Sequence, residues 1–158
     1  VSTGYLYNII FSDLLITSNT ANARFDFKAI SSSSTLQGFR AVRNRLNNST
    51  GLQTYYNSSL QTSNIALGYS ANVGKSNSGT KSQTFDFWYH QGSTNTSNNN
   101  WASFWCTGWG QAAITVNPVV DICHGYQYQS GGATIATLGF FASTTTIQGN
   151  YRVLRIQV

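Results

Sequence analysis

Nine short segments of this chain carry strand chemistry, and almost nothing in it carries helical periodicity. Tyr5–Ile16, Arg24–Ile30, Ile65–Tyr69, Thr84–His90, Trp101–Trp109, Ala112–Val116, Ile122–Tyr128, Thr134–Phe141 and Tyr151–Val158 are rich in β-branched and aromatic residues, and each is bounded by Gly, Asn or Ser clusters. The segment Thr84–His90 alternates well enough to assign faces, with Phe85, Phe87 and Tyr89 on one side and Asp86, Trp88 and His90 on the other. About nine short strands at these spacings predict an all-β fold, an immunoglobulin-like or jelly-roll β-sandwich. A helical turn is expected only over Ala41–Leu46, while Ser31–Thr35, Lys75–Ser82 and Gly92–Asn100 read as loops. Neither an internal repeat nor a linker divides the chain, so residues 1–158 read as a single domain.

Charged residues make up only 8% of the chain, against roughly a quarter in an average soluble domain. The acids are Asp13, Asp26, Asp86 and Asp121; there is no Glu, no Met, and one proline, Pro118. That composition excludes a coiled coil, a helical repeat array and any site built from several glutamates. Hydrophobic residues at 41%, with aromatics at 14%, supply enough apolar surface for a core. No apolar run approaches the roughly 20 residues that a membrane helix needs. In place of charge stand Ser, Thr, Asn, Gln, Gly and Tyr, which bond neutral partners and stay neutral near pH 7. Such a surface suits an extracellular protein, and a first residue other than Met fits a mature chain after removal of a signal peptide. Sequons at Asn47, Asn48, Asn57 and Asn95 are what chance produces in an Asn- and Ser-rich chain.

The net charge is +5, but the only basic cluster is Arg40, Arg43 and Arg45. A nucleic-acid reader needs a longer stripe with more phosphate contacts, so no nucleic-acid partner is expected. The cluster reads as a solvated loop or as a contact to an acidic glycan. Cys106 and Cys123 are the only cysteines. In an extracellular chain one disulfide is the default, adding ~3 kcal/mol through loop closure, and a pair of buried free thiols is the alternative.

Catalytic motifs are missing. Glycoside hydrolysis commonly needs two carboxylates about 5 to 10 Å apart, and none of the four aspartates sits in a recognisable motif. No G-x-S-x-G elbow accompanies the many serines. His90 and His124, with Asp86 and Asp121, could in principle supply metal ligands. However, residues i and i+4 on a strand lie about 13 Å apart, so only a cross-strand pair could share an ion. The expectation is therefore a protein that is not an enzyme and needs no cofactor.

The most informative stretch runs from Trp88 to Gln111. Two aromatic strands enclose the loop Gly92–Asn100, which is built of amides and hydroxyls, and the second strand ends in a glycine-flanked tryptophan, Gly108-Trp109-Gly110. Sugars are bound by this palette: apolar C–H faces stack on rings while neutral donors and acceptors read the hydroxyls. Trp101, Trp105 and Trp109 share one face by alternation, so some of them are also candidates for the core. Trp109 and the polar loop read as surface.

The run Ile114-Thr115-Val116-Asn117-Pro118-Val119-Val120, followed by Gly131–Leu138, resembles the closing strands of the lectin domains of chaperone–usher fimbrial tip adhesins. Asn100-Trp101 and Thr107-Gly108-Trp109 resemble the N-acetylglucosamine-binding branch of that family. The resemblance covers roughly Trp88 to Phe141. It implies an elongated sandwich with a shallow sugar site near one end, ahead of a pilin domain outside this chain that joins the fibre by donor-strand complementation. In that branch an Asp-Thr pair in the loop, with polar groups just before the x-Pro-Val strand, holds the sugar. The matching positions are Ser93 and Thr94, then Gly110 and Gln111; Ser93 replaces the Asp, which changes the expected sugar. The cysteines depart from the relatives' pattern, since Cys106 can pair only with Cys123.

The expectation is thus a secreted, monomeric receptor-binding domain, exported through the periplasm to a fimbrial tip, that binds a host glycan or glycoprotein without catalysis. The carbohydrate contacts would be Ser93, Thr94, Asn95, Trp109, Gly110 and Gln111, with Tyr89 and Trp101 as stacking residues. A single shallow site of this kind is weak, and many pili on one cell supply avidity. The alternative is a protein-binding adhesive domain, such as an extracellular-matrix binder, or the head of a phage or viral fibre. Such a domain would use the same residues over a wider face, and trimerisation would favour the fibre.

Overall fold

The computed structural model describes residues 1–16, 25–31, 38–47, 51–61, 64–68, 83–92, 102–111, 118–127, 135–142 and 147–158. Among them are ten strands and no helix: β1 (Tyr5–Ile16), β2 (Phe25–Ser31), β3 (Phe39–Asn47), β4 (Gly51–Gln61), β5 (Ile65–Gly68), β6 (Gln83–Gln91), β7 (Ala102–Gln111), β8 (Pro118–Gln127), β9 (Ile135–Ala142) and β10 (Ile147–Gln157). Seven form one antiparallel sheet in the order β10-β1-β6-β7-β8-β3-β4, and three form a second in the order β5-β2-β9. The fold is an all-β sandwich. The expected strand at Ala112–Val116 lies outside the described residues, as does most of each expected loop.

Alternation builds the interior. On β6 every second residue from Gln83 to Gln91 is buried, which turns Phe85, Phe87 and Tyr89 inward and Trp88 and His90 outward. β2 lies across them in the small sheet. Its Phe27 is fully buried, with the ring centroids of Phe87, Phe104, Phe140 and Phe39 at 4.9, 5.1, 5.6 and 5.8 Å. Phe25 packs on Phe85 and Phe11 in the next layer. Tilted and edge-on ring pairs of this kind add about 0.5–1.5 kcal/mol each beyond the area they bury.

Three strands cannot cover seven. The inward side of β10 is left open, with Tyr151 73% and Val153 50% exposed. A cleft of about 470 Å³ opens there between β10, β1 and β9, lined by residues that include Phe11, Leu138, Phe140 and Ile147.

On the opposite flank the inward positions of β3 change character along the strand. Phe39 and Ala41 are buried and apolar, while Arg43 and Arg45, on the same side, are buried and cationic. The helical turn expected over Ala41–Leu46 is therefore the middle of a strand, and two of the three clustered arginines face inward rather than lying in a solvated loop. Arg45 is held there by its register partner Asp121 on β8. β4, which the sequence reading did not anticipate, pairs with β3 from Asn47↔Gly51 onward.

Cys106 and Cys123 are register partners across β7 and β8, and both are buried free thiols. The expected disulfide is not formed. Directly opposed positions in an antiparallel ladder lie close enough for a bridge, so backbone separation does not account for the free thiols. Burial holds the Cys106 thiol well above its usual range, and pushes Cys123 up to about 12 although the neighbouring Arg43 pulls it down. Both sulfurs therefore stay protonated.

Candidate functional site

Among the described residues no second layer lies over the outer face of the large sheet, and the register arranges its side chains in rows across the strands. One row runs His90, Ser103, Tyr126, Arg40 over β6, β7, β8 and β3. The next runs Trp88, Trp105, His124, Val42, and the third Asp86, Thr107, Ile122, Asn44. The fourth runs Thr84, Trp109, Val120, Leu46. Large apolar groups lie open on this face: Trp105 at 46% exposure, Trp109 at 48% and Tyr126 at 41%.

β7 explains how tryptophans come to point outward. Its inward positions are Ala102, Phe104, Cys106 and Gly108, all buried, and its outward positions are Ser103, Trp105 and Trp109, all exposed, together with the half-buried Thr107. Phe104 is the one large side chain among the inward positions, where Ala102, Cys106 and Gly108 are small, and the two tryptophans stand outside. Trp105 stacks on Trp88 across the ladder, with ring centroids 5.3 Å apart and planes 14° from parallel. Trp109 makes no ring contact with another described residue, and about half of it is exposed.

The glycines that flank Trp109 answer to packing. A Cβ at position 108 would collide with the ring of Phe85, and one at 110 with the side chain of Gln83. Gly110 thus turns its open side into the sandwich, and Gln111 ends β7 opposite Pro118.

Tyr89 is not a stacking residue for a ligand. It is fully buried, and its hydroxyl donates to Gln91 Oε1. Burial, with a smaller contribution from Tyr7, raises its phenol far above the usual range. Its place on the inward side follows from the same alternation that orients Phe85 and Phe87. Ser93, Thr94, Asn95 and Trp101 lie outside the described residues. Of the expected contacts, then, Trp109 stands on the open face, with Gly110 and Gln111 at the strand end beside it.

The aspartates are distributed singly. Asp26 is fully buried, Asp121 is buried against Arg45, and Asp86 accepts a hydrogen bond from the Asn8 amide. Only Asp13 is exposed. His90 and His124 sit in neighbouring rows with β7 between them, roughly 12 Å apart across two strand spacings and one row. Among the described residues no three His, Cys, Asp or Glu side chains come together around a point that could hold a metal ion.

Sequence reasoning missed Trp88, Tyr126, His124 and Arg40 as members of one surface. The usable signal was parity: Tyr126 and His124 alternate with the buried Cys123 and Gln127. Chemically, the face offers half-exposed and stacked rings beside hydroxyls and imidazoles. No family model, curated protein or solved structure matches this chain.

Proposed function

We propose that this chain is a non-catalytic carbohydrate-binding domain of a bacterial attachment fibre, of the kind carried at a fimbrial tip, and that it meets host glycans outside the cell. The observation that carries this reading is Trp109: a half-exposed indole on the outer face of the large sheet, between Thr84 and Val120 and in line along β7 with exposed Trp105, about 13 Å away. Rings of this sort stack on the C–H faces of sugars, and side-chain hydroxyls and amides read the sugar hydroxyls.

A second reading, the head of a phage or viral fibre, is favoured by β10. This edge strand exposes Tyr151, Val153, Leu154 and Ile156, which subunit packing in an oligomeric fibre would cover.

A glycan array run with and without a chelator, beside a sedimentation measurement, tests the proposal. Binding by a monomer to a small related set of glycans, unchanged by chelation, is the expected result. Silence across the array with a stable trimer in solution would transfer the assignment to the fibre head.

A further inference from the structure

We infer that Trp109 begins an uncharged apolar stripe that selects glycans carrying 6-deoxyhexoses, sugars in which a methyl group replaces the usual hydroxymethyl. This rests on the carbohydrate-binding reading above and adds the class of sugar to it. The register builds the stripe. Trp109 is the partner of Val120, Val120 of Leu46, and Leu46 of Leu52, so four apolar side chains from β7, β8, β3 and β4 stand side by side on the outer face. Directly opposed residues in such ladders have Cβ atoms about 5 Å apart, which makes the stripe continuous. It is also open to solvent: Trp109 is 48% exposed, Leu46 53% and Leu52 68%. From Trp109 to Leu52 it crosses three strand spacings, about 14 Å, the reach of a short oligosaccharide.

The neighbouring row gives the stripe one polar edge. Beside the four apolar groups run Thr107, Ile122, Asn44 and Thr54, which add two hydroxyls and an amide to a half-exposed isoleucine. A ligand lying here meets aliphatic groups beneath it and neutral hydrogen-bonding groups along one side. No residue of the stripe is ionisable. Arg45 and Asp121, on the same strands, turn inward and pair with each other, and Asp86, at the far end of the neighbouring row, accepts from Asn8. An anionic sugar therefore gains nothing on the stripe, and a neutral one is the match.

Between neutral sugars, the aliphatic groups decide. Trp109 takes a C–H face of the ring. A hydroxyl that the sugar turns onto Val120 and Leu46 loses water and finds no partner there, whereas a methyl in its place gains from burial. A second copy of the chain is the weaker match. Four side chains offer a few hundred Å², the size of the largest patch on many monomers and short of the ~800 Å² that each partner of a stable dimer buries. The net charge of +5 also opposes self-association.

The test uses sugar pairs that differ by one oxygen atom. Methyl α-L-fucoside is titrated against methyl α-L-galactoside, and methyl α-L-rhamnoside against methyl α-L-mannoside, by NMR on the whole chain and beside the glycan array. The glycans bound on the array should share a 6-deoxyhexose, and in at least one pair the 6-deoxy member should bind about tenfold tighter. Leu46→Asn keeps the size of a half-exposed side chain and makes it polar, and should bring the two members of that pair within about twofold of each other. Leu52→Ser, farthest from Trp109, supplies an independent arm, expected to weaken oligosaccharides more than single sugars. Array ligands without a 6-deoxyhexose, equal binding within both pairs, or a preference that survives Leu46→Asn would overturn this inference and leave the carbohydrate reading standing. A concentration-dependent dimer abolished by Leu46→Asn would overturn the choice of occupant. Failure of every sugar to bind would overturn the carbohydrate reading itself.

Discussion

Arg45 and Asp121 close a two-pronged ion pair across β3 and β8, Nε donating to Oδ1 at 2.9 Å and Nη2 to Oδ2 at 2.8 Å. Less than a tenth of either side chain is exposed. A pair this buried repays its desolvation only while both partners are present. Arg45→Met strands a carboxylate in the interior and is expected to cost about 3–5 kcal/mol in urea unfolding. Adding Asp121→Leu to that variant should return most of the loss. A double variant as unstable as the single one would show that the charge pairing is not what holds β3 to β8.

The two free thiols give the protein an alkaline limit. Burial lifts Cys123 from 9.0 to about 12 and lifts Cys106 in the same direction. The folded state therefore keeps a proton that the unfolded chain releases. This contribution is full below pH 9 and is lost as the pH rises toward 12, with a slope of about 1.4 kcal/mol per pH unit for each thiol. Urea midpoints should fall steadily from pH 9 to pH 10, before the buried Tyr89 phenol adds its own slope. Cys123→Ala should roughly halve that decline. A thiol reagent should label both cysteines only after unfolding, and rapid labelling of the native protein would contradict the burial.

Trp109 and Trp105 should separate binding from stability. Trp109 is half-exposed and stacks on no other described ring, so Trp109→Ala should weaken glycan binding about tenfold or more while the Tm stays within a few degrees. Trp105→Ala also removes the stack on Trp88, and is expected to cost about 1 kcal/mol of stability in addition to affinity. A large stability loss in Trp109→Ala would place that indole in the packing rather than in the site.

How much of this was legible follows from which signals were local. Phe85, Phe87 and Tyr89 share a face by parity alone, and that face proved to be the core. The parity of Trp101, Trp105 and Trp109 was equally plain, but which side faced water depended on the phenylalanines that β2 brings across, and no residue of β7 encodes β2. β3 was hidden because its inward positions are apolar at Phe39 and Ala41 but cationic at Arg43 and Arg45. An arginine reads as inward only once Asp121, far away in the chain, is known to lie opposite. β4 opens Gly51-Leu52-Gln53-Thr54 and lies at the sheet edge, where little burial is needed to hold a strand, so its sequence carries little alternation. The glycines around Trp109 resembled a ligand motif because the ring of Phe85 that claims the space belongs to another strand.

That last relationship yields the sharpest packing test. Gly108 and Phe85 are partners across β6 and β7, and the Phe85 ring lies where a Cβ at position 108 would stand. Phe85 is 1% exposed, with Phe25 packed on it at 4.7 Å between ring centroids, so it has nowhere to retreat. The backbone at Gly108 is ordinary, unlike that of Gly51 with its φ of 70°, so the penalty of a methyl group is steric alone. Gly108→Ala should therefore behave as an overpacked core and cost about 1–3 kcal/mol, although Trp109 beside it faces solvent. Trimming the ring with Phe85→Leu in the same chain should recover part of that loss, a coupling that two independent sites would not show. If Gly108→Ala melted at the wild-type temperature, the ring would be free to slide, and the glycine at 108 would have to be explained by something that touches the outer face.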